Sequence, residues 1–161
     1  MAAAIPEVGG GDALSAGHSP VDERPEPPIV VVDTDVVSFL FKRDSRAALY
    51  QPHLEGRRPV LSAQALAELC AWPVARHWGQ RRRQELDEFL GRYPVVYPDA
   101  EICRIWGEIT ARAALAGKPL PATDAWHAAT AIYLGVPLAS HNRSNYLGVP
   151  ELSLVTPGEG T

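Results

Sequence analysis

Cysteine, lysine and methionine are scarce in this chain, and each scarcity excludes something. Two cysteines in 161 residues, Cys70 and Cys103, are too few for a disulfide framework or a cysteine-ligated metal site. Both fall in apolar helical patterns, which predicts buried free thiols and a reducing, cytoplasmic compartment. Lysine occurs only at Lys42 and Lys118, a shortage that weighs against one enzyme class discussed below. No apolar run approaches the roughly 20 residues that span a bilayer. Residues 1–20 lack the basic start and apolar core of a signal peptide, so no membrane association is expected.

Residues 1–28 also lack apolar periodicity. They contain Gly9-Gly10-Gly11 and end on Pro25-Glu26-Pro27-Pro28, the composition of a disordered acidic leader. Met1 is the only methionine, so a start of translation near Val30 is an alternative that mass spectrometry of the native protein decides. One folded domain is expected over residues 29–161. The chain holds 15 basic and 19 acidic residues. Removing the leader's five acids and one arginine leaves 14 of each sign, so any clustering of acids leaves the remaining surface net basic, suited to a polyanion.

Ile29-Val30-Val31-Val32 is a run of β-branched residues and reads as a strand buried on both faces. A short helix pair follows, Val36 to Phe41 and Ala47 to Leu54. Pro59-Val60-Leu61 reads as a second strand, and Ser62 as the N-cap of a helix that Pro73 stops near Trp72. A helix ending at Leu90, a strand from Tyr93 to Tyr97 and a helix capped by Asp99 come next. Thr123 is expected to cap a helix from Asp124 to Leu134, closed by Gly135, before late strands at Val136–Ala139 and Leu152–Val155. Strands alternating with helices predict an α/β fold with a mostly parallel central sheet.

The first strand runs straight into Asp33-Thr34-Asp35. Apolar residues that need burial, followed by carboxylates that resist it, place Asp33 at the C-terminal edge of a sheet, where open parallel sheets bind ligands. A metal ion is the usual partner of such a carboxylate; a solvated acidic loop is the plain alternative. Asp124 opens a helix otherwise composed of small and apolar residues. The helix dipole rewards an acid there by up to ~1 kcal/mol, a sufficient structural reason by itself. Glu68 sits inside another apolar helix, and its pattern does not decide between water and the crevice. Three acids whose contexts each permit one cleft suit Mg²⁺ or Mn²⁺, which favour oxygen ligands.

Four pieces in order carry a family resemblance: Val32-Asp33-Thr34-Asp35-Val36-Val37-Ser38, Ala67-Glu68-Leu69, Asp124-Ala125-Trp126-His127-Ala128-Ala129-Thr130-Ala131, and Leu138-Ala139-Ser140-His141-Asn142 with Asn145-Tyr146. From Ile29 to about Val155 the chain resembles a PIN-domain nuclease of the VapC toxin type. The resemblance implies a three-layer PIN-like fold and a Mg²⁺- or Mn²⁺-dependent endoribonuclease, the toxin of a type II toxin–antitoxin pair. Asp33, Glu68 and Asp124 are then the catalytic and metal-binding acids, with Thr34, Asp35, Ser140 and Asn142 in support. The products carry 5′-phosphate and 3′-hydroxyl ends. The implied partners are an RNA substrate, a cognate antitoxin and a second copy of the chain, the last through apolar Val36, Val37, Phe39, Leu40 and Phe41. Asp35 departs from the family's Asn, and Asn142 and Asn145 stand where some relatives carry a fourth acid.

Other residues have competing readings. Arg76, Arg81, Arg82 and Arg83 lie near Trp72 and Trp78 and could grip RNA phosphate, or could simply be solvated or meet an acidic partner. His141 falls in a loop near the expected cleft and could touch RNA, or could simply be solvated. His127, one turn after Asp124, reads as a core histidine before it reads as a ligand. Asp33-x-Asp35 also resembles the first motif of haloacid-dehalogenase-type phosphatases, with Asp33 as nucleophile. That class needs a further Lys and a later acidic pair, and Asp124 has no acidic neighbour. A catalytically degenerate PIN domain that binds RNA or protein is the remaining alternative.

Overall fold

The computed structural model describes residues 25–157. The part of the expected leader before residue 25 and the last four residues lie outside it. The chain runs β1 (Ile29–Val32), α1 (Thr34–Lys42), α2 (Ala47–Leu54), β2 (Arg58–Ser62), α3 (Ala63–Ala75), α4 (Gln80–Leu90), β3 (Val95–Val96), α5 (Ala100–Leu115), α6 (Ala122–Leu134), β4 (Leu138–Ala139) and β5 (Leu154–Val155). A 3₁₀ turn, Arg143–Tyr146, joins β4 to β5.

All strand pairs are parallel, in the order β3-β2-β1-β4-β5. The chain builds outward from β1 to β3, then crosses to the other side of β1 for β4 and β5. The switch therefore falls between β1 and β4, and at such a point the loops part to leave a crevice beyond the strand ends. Alternation along β1 explains the layers. Val30 and Val32 enter one apolar cluster with α1 to α4, through Val36, Val37, Tyr50, Leu69 and Leu86. Val31 enters the opposite cluster with α5 and α6, through Ile102, Ile109, Ala125 and Ala128. The result is the expected α/β, three-layer architecture. Among the described residues, no helix is long and apolar enough to cross a membrane.

Local chemistry explains most element ends. Ser62 Oγ accepts the Ala65 N–H at 3.1 Å to start α3, and Asp99 Oδ1 accepts the Ile102 N–H at 2.9 Å to start α5. Gly135 closes α6 at φ +65°, a conformation costly for residues with a Cβ. Three expectations need correction. Pro73 lies inside α3, which runs on to Ala75; one missing N–H near a helix end leaves few bonds to lose. Pro121, not Thr123, precedes α6, so Thr123 and Asp124 both lie within its first turn. Cys70 and Cys103 are exposed. Each follows a buried residue, Leu69 or Ile102, and so points roughly 100° away from the core stripe.

Candidate active site

Asp33 is the centre of the crevice. It leaves β1 in extended conformation and caps α1, with Oδ1 accepting the Thr34 N–H at 2.6 Å. Its side chain is nearly closed off, the residue being 5% exposed. Such burial needs hydrogen-bond donors, and three bond the carboxylate. Oδ1 also faces His127 Nε2 at 3.2 Å, while Oδ2 accepts the Ser140 and Tyr146 hydroxyls at 2.8 Å each. Ser140 follows β4, so its bond to Asp33 spans the switch between β1 and β4. Ser140 Oγ in turn accepts the Asn142 N–H at 3.1 Å. Behind Asp33, Ser62 Oγ lies 2.7 Å from His127 Nδ1, and both residues are buried.

A cleft of about 270 Å³ opens in front of this anchor, lined by Asp33, Thr34, Asp35, Ser38, Glu68, Trp72, Asp124 and Asn142. Four acids from β1, α1, α3 and α6 thus share one space. Gln64 Nε2 donates to Glu68 Oε1 at 2.9 Å, one turn away on α3. Asn145 Nδ2 donates to Asp124 Oδ2 at 2.6 Å. Asp35 accepts the Val36 N–H at 2.6 Å and the His141 N–H at 3.1 Å.

Proximity of like charges shows in the acidities. Burial, and then the charge of Asp33, push the Asp35 carboxyl up to about 7. Burial also raises Asp124; the Asn145 hydrogen bond opposes this, and the charge of Asp33 adds to it. Burial, then the charges of Asp33 and Asp124, hold the Tyr146 phenol far above its ordinary value, so it stays a donor. This is a cluster that a cation relieves. Its oxygen donors suit a hard divalent ion, and the buried Thr34 Oγ1 beside it has no hydrogen-bond partner. Asp33, Asp124 and His127 each offer a ligand atom within 4.8 Å of the others.

The family model for the PIN domain matches residues 30–146. The chain belongs to the PIN domain family. Ribonuclease VapC1 of Haemophilus influenzae is 25% identical over 126 residues, covering 77% of this chain and 94% of that protein. The VapBC2 structure from Rickettsia felis, bound to a DNA fragment from its promoter, superposes with a TM-score of 0.70 at 21% identity, covering 80% of this chain and 98% of that one. FitAcB from Neisseria gonorrhoeae gives 0.66 at 23% identity over 81% and 99%. Membership removes the phosphatase alternative.

Within this PIN domain, the acids expected from sequence, Asp33, Glu68 and Asp124, meet in the one cleft. Glu68 therefore faces the crevice. Thr34, Asp35 and Asn142 line the same space, and Ser140 bonds Asp33. The arginines divide. Arg76 lies over the Trp72 ring at 4.2 Å, and Arg82 over Phe41 at 4.4 Å. Arg81 and Arg82 both pair with Glu85, and Arg83 donates to the Trp78 and Pro73 carbonyls. His141 is exposed, with Nδ1 2.8 Å from the Tyr50 hydroxyl. Of the apolar residues expected to form a dimer face, Val36, Val37, Phe39 and Phe41 are buried in this chain's own core, and Leu40 is half-buried against it. Sequence reasoning missed Ser62 and Tyr146 as parts of the site. Ser62 is visible in sequence only as a helix cap, and Tyr146 only as the aromatic of the closing segment. His127 is buried, as a core histidine is, yet its ring touches Asp33.

Proposed function

We propose that the cleft is the active centre of a Mg²⁺- or Mn²⁺-dependent endoribonuclease, the toxin of a toxin–antitoxin pair. The observation that carries this reading is the convergence of Asp33, Asp35, Glu68 and Asp124 on one crevice in a PIN domain. Asp33, Glu68 and Asp124 would hold the metal. When bound, such an ion supplies an acidified water and neutralises charge on the phosphodiester. The remaining work falls to the protein. Ser140, Tyr146, His127 and the Thr34 N–H hold the Asp33 carboxylate in one orientation. Asn145 does the same for Asp124, and Trp72 bounds the cleft on the side of α3. Asn142 brings a carbonyl without a charge, so the cleft carries less negative potential than one with an acid there, easing the approach of RNA phosphate.

The partner reading is supported by relatives solved as VapBC and FitAB complexes, and a cognate antitoxin is proposed for this chain on that basis. Metal-dependent RNA cleavage tests the function. Wild type is expected to cleave single-stranded RNA with Mn²⁺ and to stop when EDTA is added, and Asp33→Ala is expected to be inactive. Cleavage that survives EDTA, or survives Asp33→Ala, sinks the proposal. A folded protein that binds RNA without cutting it selects the degenerate alternative.

A further inference from the structure

The three proposed metal ligands sit on three separate elements: Asp33 ends β1, Glu68 rides on α3 and Asp124 opens α6. One buried chain of polar contacts ties those elements together. Ser62, at the start of α3, lies 2.7 Å from His127 Nδ1, and His127, on α6, places Nε2 3.2 Å from Asp33 Oδ1. Ser62 and His127 are each 1% exposed. The Ala65 N–H already occupies one lone pair of Ser62 Oγ at 3.1 Å, so the hydroxyl proton is free to donate to Nδ1. The ring proton is then on Nε2, the nitrogen that lies 3.2 Å from Asp33 Oδ1.

We propose that His127 is a positioning residue of the metal centre and not one of its ligands. Through Ser62–His127–Asp33 it fixes how α3 and α6 stand relative to the end of β1, and so sets the spacing of Glu68 and Asp124 about the ion. The 4.8 Å spacing of Asp33, Asp124 and His127 would by itself admit a three-ligand site. The cleft lining weighs against it: Asp33, Glu68 and Asp124 face that space, whereas His127, 1% exposed, does not. The imidazole stands behind Asp33, where a group orients a metal-binding carboxylate and leaves the ion an oxygen environment.

This inference rests on the metal-nuclease reading, and the test separates the two. In the metal-free full chain, ¹⁵N-histidine NMR is expected to show His127 protonated at Nε2. With Mn²⁺ added, electron paramagnetic resonance is expected to show no directly coordinated nitrogen. His127→Leu is expected to weaken Mn²⁺ binding by about 10-fold or more, and His127→Gln, which keeps an N–H toward Asp33, to recover most of it. If His127→Leu fails to fold, Ser62→Ala carries the same comparison, with Ser62→Thr as its rescue. A nitrogen bonded to Mn²⁺, an Nδ1-protonated ring, or a folded His127→Leu that binds Mn²⁺ as wild type does overturns the positioning role alone. A wild-type chain that binds no Mn²⁺ overturns the metal reading and this inference with it.

Discussion

Asp35 occupies a position where ionisation is costly in the absence of a cation. Its carboxyl is pushed from 3.8 up to about 7 by burial and by the charge of Asp33. The unfolded chain gives up this proton near the ordinary value, while the folded protein keeps it until about 7. Between those limits the unfolded state binds fewer protons, so stability falls as pH rises through the window and is fully retained only below it. In EDTA, Asp35→Asn is therefore expected to melt above wild type at about pH 7.5, with the gap closing toward about pH 4. A gap that does not change with pH would remove the electrostatic explanation. Tyr146 offers a cleaner deletion. Tyr146→Phe takes one of three hydrogen bonds from a buried carboxylate, a loss of about 1.5–3 kcal/mol for a hydrogen bond to a charged group. Urea denaturation measures it.

At the scale of elements, packing decides details that periodicity does not carry. Gly148 lies against α5: a Cβ there would come within 2.5 Å of the Lys118 carbonyl and 2.7 Å of Ala113 Cβ. Gly148→Ala is expected to cost about 1–3 kcal/mol by overpacking. Gly107, inside α5, has nothing within 4 Å of the same position, so Gly107→Ala is expected to stabilise by about 0.5–1 kcal/mol. Denaturant midpoints that move in the same direction would refute the contrast. The same limits explain what was legible in the sequence. Ile29–Val32 announced a strand buried on both faces because four β-branched residues admit little else, and Ser62 and Asp99 announced caps because their side chains do that work locally. Which face of α3 is buried depends on neighbours distant in sequence. So do the bonds from Ser62 and Tyr146 to their partners. Tyr146 reaches Asp33 from 113 positions away, and no local pattern encodes that contact.

Across the whole molecule, acids concentrate in the cleft and bases are left outside it. Of the 14 acids and 14 bases from residue 29 onward, Asp33, Asp35, Glu68 and Asp124 line one crevice, so the rest of that surface carries an excess of positive charge. Trp72 joins the two regions: it forms part of the cleft wall, and both Lys42 and Arg76 lie over its ring, at 5.0 and 4.2 Å. On the proposed function, a strand of RNA whose phosphate entered the cleft would pass this aromatic edge beside Arg76, with Arg82, which also pairs with Glu85, further along. Counterion release then makes RNA affinity fall with salt, by a slope of about 0.7 per phosphate contact for a single strand. Arg76→Gln with Arg82→Gln is expected to lower the slope of log affinity against log salt by about 1.4, if each arginine makes one such contact. Arg83→Gln is expected to leave the slope unchanged and to reduce stability instead, because Arg83 spends its donors on the Trp78 and Pro73 carbonyls at the end of α3. Fluorescence anisotropy with a non-cleavable RNA over a salt series reads the slope, and thermal melting reads the stability. An unchanged slope in the double variant would move the RNA path away from Trp72.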